Sequence, residues 1–224
     1  MPNHVATRLT FRGQKEEVEQ LVNEVKTKAL KPNQKGRAFD FNQIIPMPKS
    51  LDIISGTVTD NGMQYLLLKA KNTTIGWTDS DHKLVERMEK NRDSENKEER
   101  ERFAESIKLG RKALSNIVKY GYPTWYEWCS KNWGTKWNAY DIEDSDLPNS
   151  ITFNTAWRFP YPVIQKLSEI FPDVTIEFVY ADEDCGSNTG CGEFKAGELV
   201  NSEFPDTDSK RAYELYIASW GEQN

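Results

Sequence analysis

The chain has 224 residues, and only 37% of them are apolar while 12% are aromatic, so a core must rely heavily on large rings. Its formal charge of −6 argues against a protein that holds nucleic acid through an overall basic surface. No apolar run reaches the roughly 18 residues that a membrane span needs, and the N-terminus lacks the apolar segment of a signal peptide. These features predict a cytoplasmic protein with no membrane association.

The first 45 residues predict a strand, a helix and a second strand. Apolar side chains alternate over residues 3–11, which is typical of a strand. From Val18 to Ala29 they recur at the spacing of an amphipathic helix. We predict a second short strand over residues 39–44, because two prolines follow closely and would end it.

The middle of the chain is predicted to be helical, over residues 61–71, over 81–120 and again after Pro123. Within it, residues 89–102 carry six acidic and five basic side chains. We interpret this charged segment as a solvated helix face, and a partner-binding arm is the alternative.

The last third has the clearest patterns. Residues 150–158 alternate, with Trp157 predicted on the same face as Phe153. Prolines introduce a helix that ends near Phe171, and a strand follows over residues 174–180. A turn, a further strand near residues 192–200 and a final helix, capped by Asp206 or Asp208, complete the chain.

This order of elements predicts an α+β fold. Strand, helix, strand at the start and again near the end is the split arrangement of a ferredoxin-like antiparallel sheet with helices on one face. The mostly helical residues 50–135 would form an insertion between the second and third core strands. We therefore predict a single ferredoxin-like domain over residues 1–224.

Motifs for catalysis or metal binding are absent from the sequence. The three cysteines, Cys129, Cys185 and Cys191, are an odd number without zinc-ligand spacing, and an iron–sulfur cluster needs four. Nucleophile-elbow and phosphate-loop motifs do not occur. The acidic residues Asp182 to Asp184 are interpreted as a solvated loop rather than a cation site. The sequence therefore predicts no cofactor, no metal and no catalytic residue, and it favours a protein that is not an enzyme.

Aromatic residues are concentrated between Trp125 and Tyr140, where six fall within sixteen positions. We favour a core role for most of them. Trp133 and Trp137 have polar neighbours, which makes them candidates for a surface that stacks on a ligand or partner. The candidate binding residues are Asn3, His4, Trp133, Lys136, Trp137 and Asn138.

Three segments together resemble a known family: MPNHVATRLTF, WCSKNWGTKWNAYD and FNTAWRFPYPVIQKLSEIFPDVTIEFVYADED. They are similar to the YubB-like, or Api-like, proteins of bacteriophages, plasmids and enterobacterial genomes. The resemblance covers roughly the first 45 residues and everything from about Trp125 onward, and residues 81–110 have no counterpart. It implies a ferredoxin-like fold, a mobile-element origin and a bacterial host, and it carries over no catalytic residue.

Three hypotheses about function follow. We favour a non-enzymatic mobile-element accessory protein that binds a host or phage protein, for example to inhibit a host system. The first alternative is nucleic-acid binding on the open face of the sheet, which the acidic charge disfavours. The second is an enzyme or small-ligand binder that uses the region from Trp133 to Trp137 with Asn3 and His4.

Overall fold

The computed structural model describes residues 3–27 and 36–221 of the chain. The chain divides into two compact units, which are described separately below. One is a sheet unit, built from the first 46 residues and the chain from Cys129 onward, and the other is a helical unit, Met47–Trp128. That one domain spans residues 1–224, with 50–135 inserted in it, stays a prediction.

The elements follow one another along the chain as strands and helices with these bounds. The strands are β1 (His4–Arg12), β2 (Tyr140–Glu143), β3 (Ser150–Ala156), β4 (Thr175–Asp182), β5 (Gly190–Lys195) and β6 (Glu198–Glu203). The helices are α1 (Lys15–Glu24), α2 (Phe41–Ile44), α3 (Thr57–Ala70), α4 (Asp79–Asp93), α5 (Lys97–Tyr120), α6 (Trp125–Asn132), α7 (Tyr161–Ile170) and α8 (Lys210–Trp220).

The sheet unit holds six strands in the order β2-β3-β1-β4-β5-β6, and every neighbouring pair is antiparallel. Strands β3 and β4 both run antiparallel to β1 between them, so they are parallel to each other and α7 joins them. This is a split β-α-β unit. The α+β class and the antiparallel sheet with helices are therefore as predicted. The predicted position of the helical insertion, between the second and third core strands, is wrong, because α3 to α5 lie in the chain between β1 and β2.

The core of the sheet unit forms where the alternating side chains of the strands meet the apolar stripe of α7. Phe159 stacks on Phe178 and Tyr180 with ring centroids 4.6 and 4.8 Å apart. Helix α8 packs along β4 and β1 on the opposite face, which carries the paired and buried Ala181 and Ala6, so the prediction of helices on one face is wrong. Fully buried side chains of this unit include Val5, Leu9, Leu21, Phe39, Phe41, Ile151, Phe153, Ile164, Leu167, Ile176 and Phe194.

Two predicted strands differ from the structure. The strand predicted over residues 39–44 is wrong, because Phe41–Ile44 forms α2, with Asp40 accepting a hydrogen bond from the backbone N–H of Asn42 at 3.0 Å as its N-cap. The strand predicted near residues 192–200 is two strands. Ala196 and Gly197 separate them with φ values of 49° and 83°, the left-handed pair of a two-residue hairpin turn.

The helical unit contains α3, α4 and α5, and the helix predicted over residues 81–120 is in fact α4 and α5. They are separated at Asn96, which caps α5 by accepting the N–H of Glu98. Residues 89–102 flank this break and none of them is buried, as expected of solvated helix faces. A buried cluster joins α3 and α4 through Tyr65, Leu68, Leu84, Val85 and Met88, and the partly buried Phe103 and Ile107 of α5 pack against it.

Glycine lets α3 and α5 approach until their backbones touch. A Cβ atom placed on Gly62 would lie 1.8 Å from the carbonyl oxygen of Ser106, and one on Gly110 would lie 2.4 Å from the carbonyl carbon of Gly62. Only glycine fits such a crossing. Among the residues described, no helix is both long enough and apolar enough to cross a membrane.

Candidate binding site at the end of the sheet

The candidate site lies where the start of β1 meets the ends of β3 and β4. Because β1 is antiparallel to both neighbours, its first residues pair with their last: His4 with Ala156, and Val5 with Asp182. Trp157 and Arg158, which follow β3, therefore lie at the same end of the sheet as the first residues of β1.

Trp157 has an unusual backbone conformation at this end of the sheet. Its φ is +71°, in the left-handed region that bulky L-residues rarely occupy, and its side chain is 39% exposed. The predicted alternation that placed Trp157 on the core face with Phe153 is therefore wrong, because β3 ends at Ala156 and the chain turns there. Such conformations persist when the surrounding contacts hold them, and they cluster at functional sites.

The contacts that hold Trp157 converge on one buried carboxylate. The N–H of Trp157 donates to the carbonyl oxygen of Asn3 at 2.9 Å, and its own carbonyl oxygen accepts from the side-chain amide of Asn188 at 3.1 Å. The amides of Asn3 and Asn188 also donate to the two carboxylate oxygens of Asp182, at 3.0 and 3.2 Å. We call Asn3, Asp182 and Asn188 the Asp182 clamp.

Asp182 itself is only 4% exposed, and it also accepts the backbone N–H of Asp184 at 3.0 Å. The interpretation of residues 182–184 as a solvated loop is thus wrong for Asp182, although Glu183 and Asp184 are exposed. A buried carboxylate needs several donors to replace its water, and the clamp supplies them.

Beside Trp157 lies a pocket of about 260 Å³, which we call the Trp157 pocket. Its lining residues are Ser130, Gly134, Thr135, Lys136, Ala156, Trp157 and Arg158. The Nζ atom of Lys136 lies 4.7 Å from the ring centroid of Trp137 and 4.8 Å from that of Trp157. These are cation–π distances, so the ammonium group orders both indole rings at the pocket.

His4 and Tyr140 form a second polar pair at this end of the sheet. The His4 Nδ1 and Tyr140 hydroxyl oxygen are 2.6 Å apart, and Trp137 meets the Tyr140 ring at an angle. Burial raises the pKa of Tyr140 to about 12, with further contributions from the carboxylates of Asp141 and Glu183. The hydroxyl therefore stays neutral at physiological pH and is suited to hydrogen bonding rather than to nucleophilic attack.

The predicted candidate residues separate into two groups. Asn3, His4, Lys136 and Trp137 come together at the end of the sheet. Trp133 does not, because its side chain is 3% exposed, its Nε1–H donates to the carbonyl oxygen of Ile45 at 2.9 Å and its ring packs on Phe41. The prediction of a surface role for Trp133 is therefore wrong.

Asn138 also has a structural role. Its amide donates to Asp40 at 2.6 Å, and its side-chain oxygen accepts the backbone N–H of Phe41 at 3.0 Å, which fixes the start of α2. Burial alone would raise the pKa of Asp40, but hydrogen bonds from Thr27, Asn138 and Asn42 outweigh it and hold that pKa below the ordinary 3.8. Asp40 therefore remains ionised in the folded protein at neutral pH.

Sequence reasoning missed Trp157 and Arg158 as a site, and it missed Asp182 and Asn188 as its support. Trp157 fits the strand alternation, so its sequence offers no signal for the turn. Asn188 is a residue type that tolerates left-handed turns, with φ of 43°, but nothing in the sequence links it to β3.

The candidate site does not contain a cluster of the residue types that bind metal ions. Across residues 3–27 and 36–221, no three His, Cys, Asp or Glu side chains lie close enough together to hold a metal ion. Among the described residues the three cysteines form no disulfide bond, and Cys129 is buried while Cys185 is exposed. Burial raises the pKa of Cys129 to about 12. That the protein uses no metal or cofactor stays a prediction.

Comparison with known proteins gives a family for the C-terminal part of the chain. Residues 133–219 match the family model described as the ferredoxin-like domain in Api92-like protein. A solved structure, protein api92 from Yersinia pseudotuberculosis, is similar at 12% identity and a TM-score of 0.42, over 93% of this chain and 100% of that one. No curated protein matches. The matched residues include strands β2 to β6 and most of the Trp157 pocket, and this part of the chain is thus similar to the Api-like ferredoxin-like domain that its sequence resembles.

Proposed function

We propose that the protein is a non-enzymatic accessory protein of a phage or plasmid, which acts in the bacterial cytoplasm by binding a host or phage protein. Inhibition of a host system is one use of such binding. The mobile-element origin and the compartment rest on the resemblance to Api-like proteins. The observation that supports binding is Trp157, an indole held partly exposed in a left-handed conformation by the Asp182 clamp.

The energetic argument concerns the cost of displaying Trp157. A sparsely populated backbone conformation costs on the order of 1–3 kcal/mol, and a buried carboxylate adds a desolvation cost. A smaller residue in an ordinary conformation after β3 would avoid the backbone cost. The arrangement is understandable if the indole contacts another molecule, because Trp is among the residues most enriched at the energetic centres of protein interfaces.

The size and charge of the surroundings favour a protein partner over the alternatives. At about 260 Å³ the Trp157 pocket is smaller than the roughly 300–1,000 Å³ of typical small-molecule sites. It suits one side chain of a partner better. Glu183, whose carboxylate accepts the backbone N–H of His4 at 3.1 Å, adds negative charge at the same end of the sheet. The net charge of −6 also leaves the chain without the overall basic surface that a nucleic-acid backbone requires.

The test is affinity capture of the tagged full-length protein from lysate of the bacterial host, with and without nuclease, read by quantitative mass spectrometry. Trp157→Ala is compared with Phe204→Ala, which removes another exposed ring, 53% accessible, from a different place. We expect a protein partner that resists nuclease, is retained by Phe204→Ala and falls about tenfold or more with Trp157→Ala. Equal capture by both variants would refute the role of Trp157, and capture that nuclease abolishes would indicate nucleic-acid binding instead.

A further inference from the structure

We infer that the Trp157 pocket accepts a carboxylate from an acidic segment of the partner, with an apolar or aromatic neighbour in that segment packing against Trp157. This inference rests on the proposed function and names the chemistry of the partner. It starts from the charge of the lining residues: two are cations, Lys136 and Arg158, and none is an anion. In a protein of net charge −6, a pocket with two cations and no acid is a local exception.

Arg158 is the cation available for direct contact. Its side chain is exposed, and among the described residues it forms no ion pair. Its backbone carbonyl oxygen accepts a hydrogen bond from the Thr155 hydroxyl at 2.8 Å, which leaves the guanidinium out of that contact. A guanidinium group presents paired N–H donors that match the two oxygens of a carboxylate.

Lys136 has a different task from Arg158. Its ammonium lies between the rings of Trp137 and Trp157, which brings positive charge close to the indole that we propose as the anchor. An acidic group in the pocket would therefore meet the Arg158 guanidinium directly and the Lys136 ammonium at the aromatic wall. Charge placed next to an aromatic anchor sets both the orientation and the specificity of an interface.

The experiment selects peptides from a random twelve-residue display library on the immobilised full-length protein. Wild type, Trp157→Ala and the double variant Lys136→Glu/Arg158→Glu are compared by sequencing. The matched control is Lys15→Glu/Lys195→Glu, which makes the same charge change at the opposite end of the sheet. A labelled consensus peptide is then titrated by fluorescence anisotropy.

We expect wild type and the control double variant to enrich peptides with Asp or Glu next to an aromatic or apolar residue. Trp157→Ala should lose this enrichment, and the charge reversal should weaken the acidic consensus peptide about tenfold or more. Arg158→Glu alone, a change at an exposed side chain, provides the same test if the double variant does not fold.

The two ideas fail in different ways. The inference would be overturned if the peptides selected through Trp157 contained no acidic residues. It would also be overturned if acidic peptides bound equally well to the Arg158 variants. Either result would leave protein binding at Trp157 standing. No Trp157-dependent peptide at all would overturn both. A labelled single-stranded oligonucleotide is tested as a competitor of the peptide. If it competes, and its binding depends on Trp157 and Lys136, the ligand group of the pocket is a phosphate rather than a carboxylate and the inference is overturned.

Discussion

The left-handed conformation of Trp157 can be tested by comparing two substitutions at that one position. Trp157→Ala and Trp157→Gly both remove the indole and its contact with Lys136, so those losses cancel in the comparison. What remains is the preference of alanine and glycine for φ of +71°. At an ordinary φ, alanine is more stable than glycine by about 0.5–1 kcal/mol, because glycine loses more freedom on folding.

At Trp157 the sign of that preference should reverse. An L-residue in the left-handed region pays about 1–2 kcal/mol that glycine does not, and the entropy term returns about 0.4–1 kcal/mol to alanine. We therefore expect Trp157→Gly to be more stable than Trp157→Ala by about 0.5–1 kcal/mol. The two expectations, for a left-handed and for an ordinary backbone, differ in sign as well as size.

The assay is urea unfolding followed by circular dichroism, with the midpoint and the slope fitted separately for each variant. Arg158→Ala and Arg158→Gly provide the control, because the neighbouring Arg158 is not among the residues with positive φ. There alanine should be the more stable by about 0.5–1 kcal/mol. A Trp157→Ala protein that equals or exceeds Trp157→Gly in stability would refute the left-handed conformation and the argument for display built on it.

Three further predictions concern other parts of the chain. Gly62→Ala should lower the free energy of unfolding by about 1–3 kcal/mol or more in a urea melt, because the new Cβ would overlap the Ser106 carbonyl oxygen. Because its pKa is lowered below 3.8 by folding, Asp40 should stabilise the protein above that pH and lose this contribution as pH falls through the folded value. The stability gap between wild type and Asp40→Asn, from urea melts, should thus shrink between about pH 5 and pH 3, and a constant gap would count against it. Cys185, which is exposed, should react with a thiol reagent in the folded protein at neutral pH, whereas the buried Cys129, with a pKa of about 12, should react only on unfolding.

The part of the fold that the sequence predicts well is the part with long local patterns. Strands β3 and β4 alternate over seven and eight residues, and α7 between them begins at prolines. Each signal is carried by neighbours in the chain, so no tertiary information is needed. The segment at residues 39–44 is too short to show a periodic pattern, because Phe41 and Ile44 fit a single helical turn as well as a strand. The N-cap at Asp40 favours the helical turn.

The residues of the candidate site that the sequence predicts are likewise those with a local pattern. Lys136 and Trp137 are adjacent in the chain, so their mixed cationic and aromatic character is visible in the sequence and points to a surface. Trp133 shows the limit of that reasoning. Its polar neighbours suggest exposure, but the carbonyl oxygen that its Nε1–H needs is supplied by Ile45, 88 positions away. Buried indoles require such a partner, and no local pattern reveals one.

Trp157 depends on contacts even more distant in the sequence. The turn that exposes it is held by Asn3 and by Asn188, and the hydrogen bond from Asn3 to Asp182 spans 179 positions. These residues come together at one end of the sheet because β1 pairs antiparallel with both β3 and β4. Any protein with the same sheet but without the carboxylate at Asp182 would lose the common acceptor of both asparagines, and the indole would lack its support on either side. Asp182 at the end of β4 is therefore the structural support on which the exposed position of Trp157 in this candidate site depends.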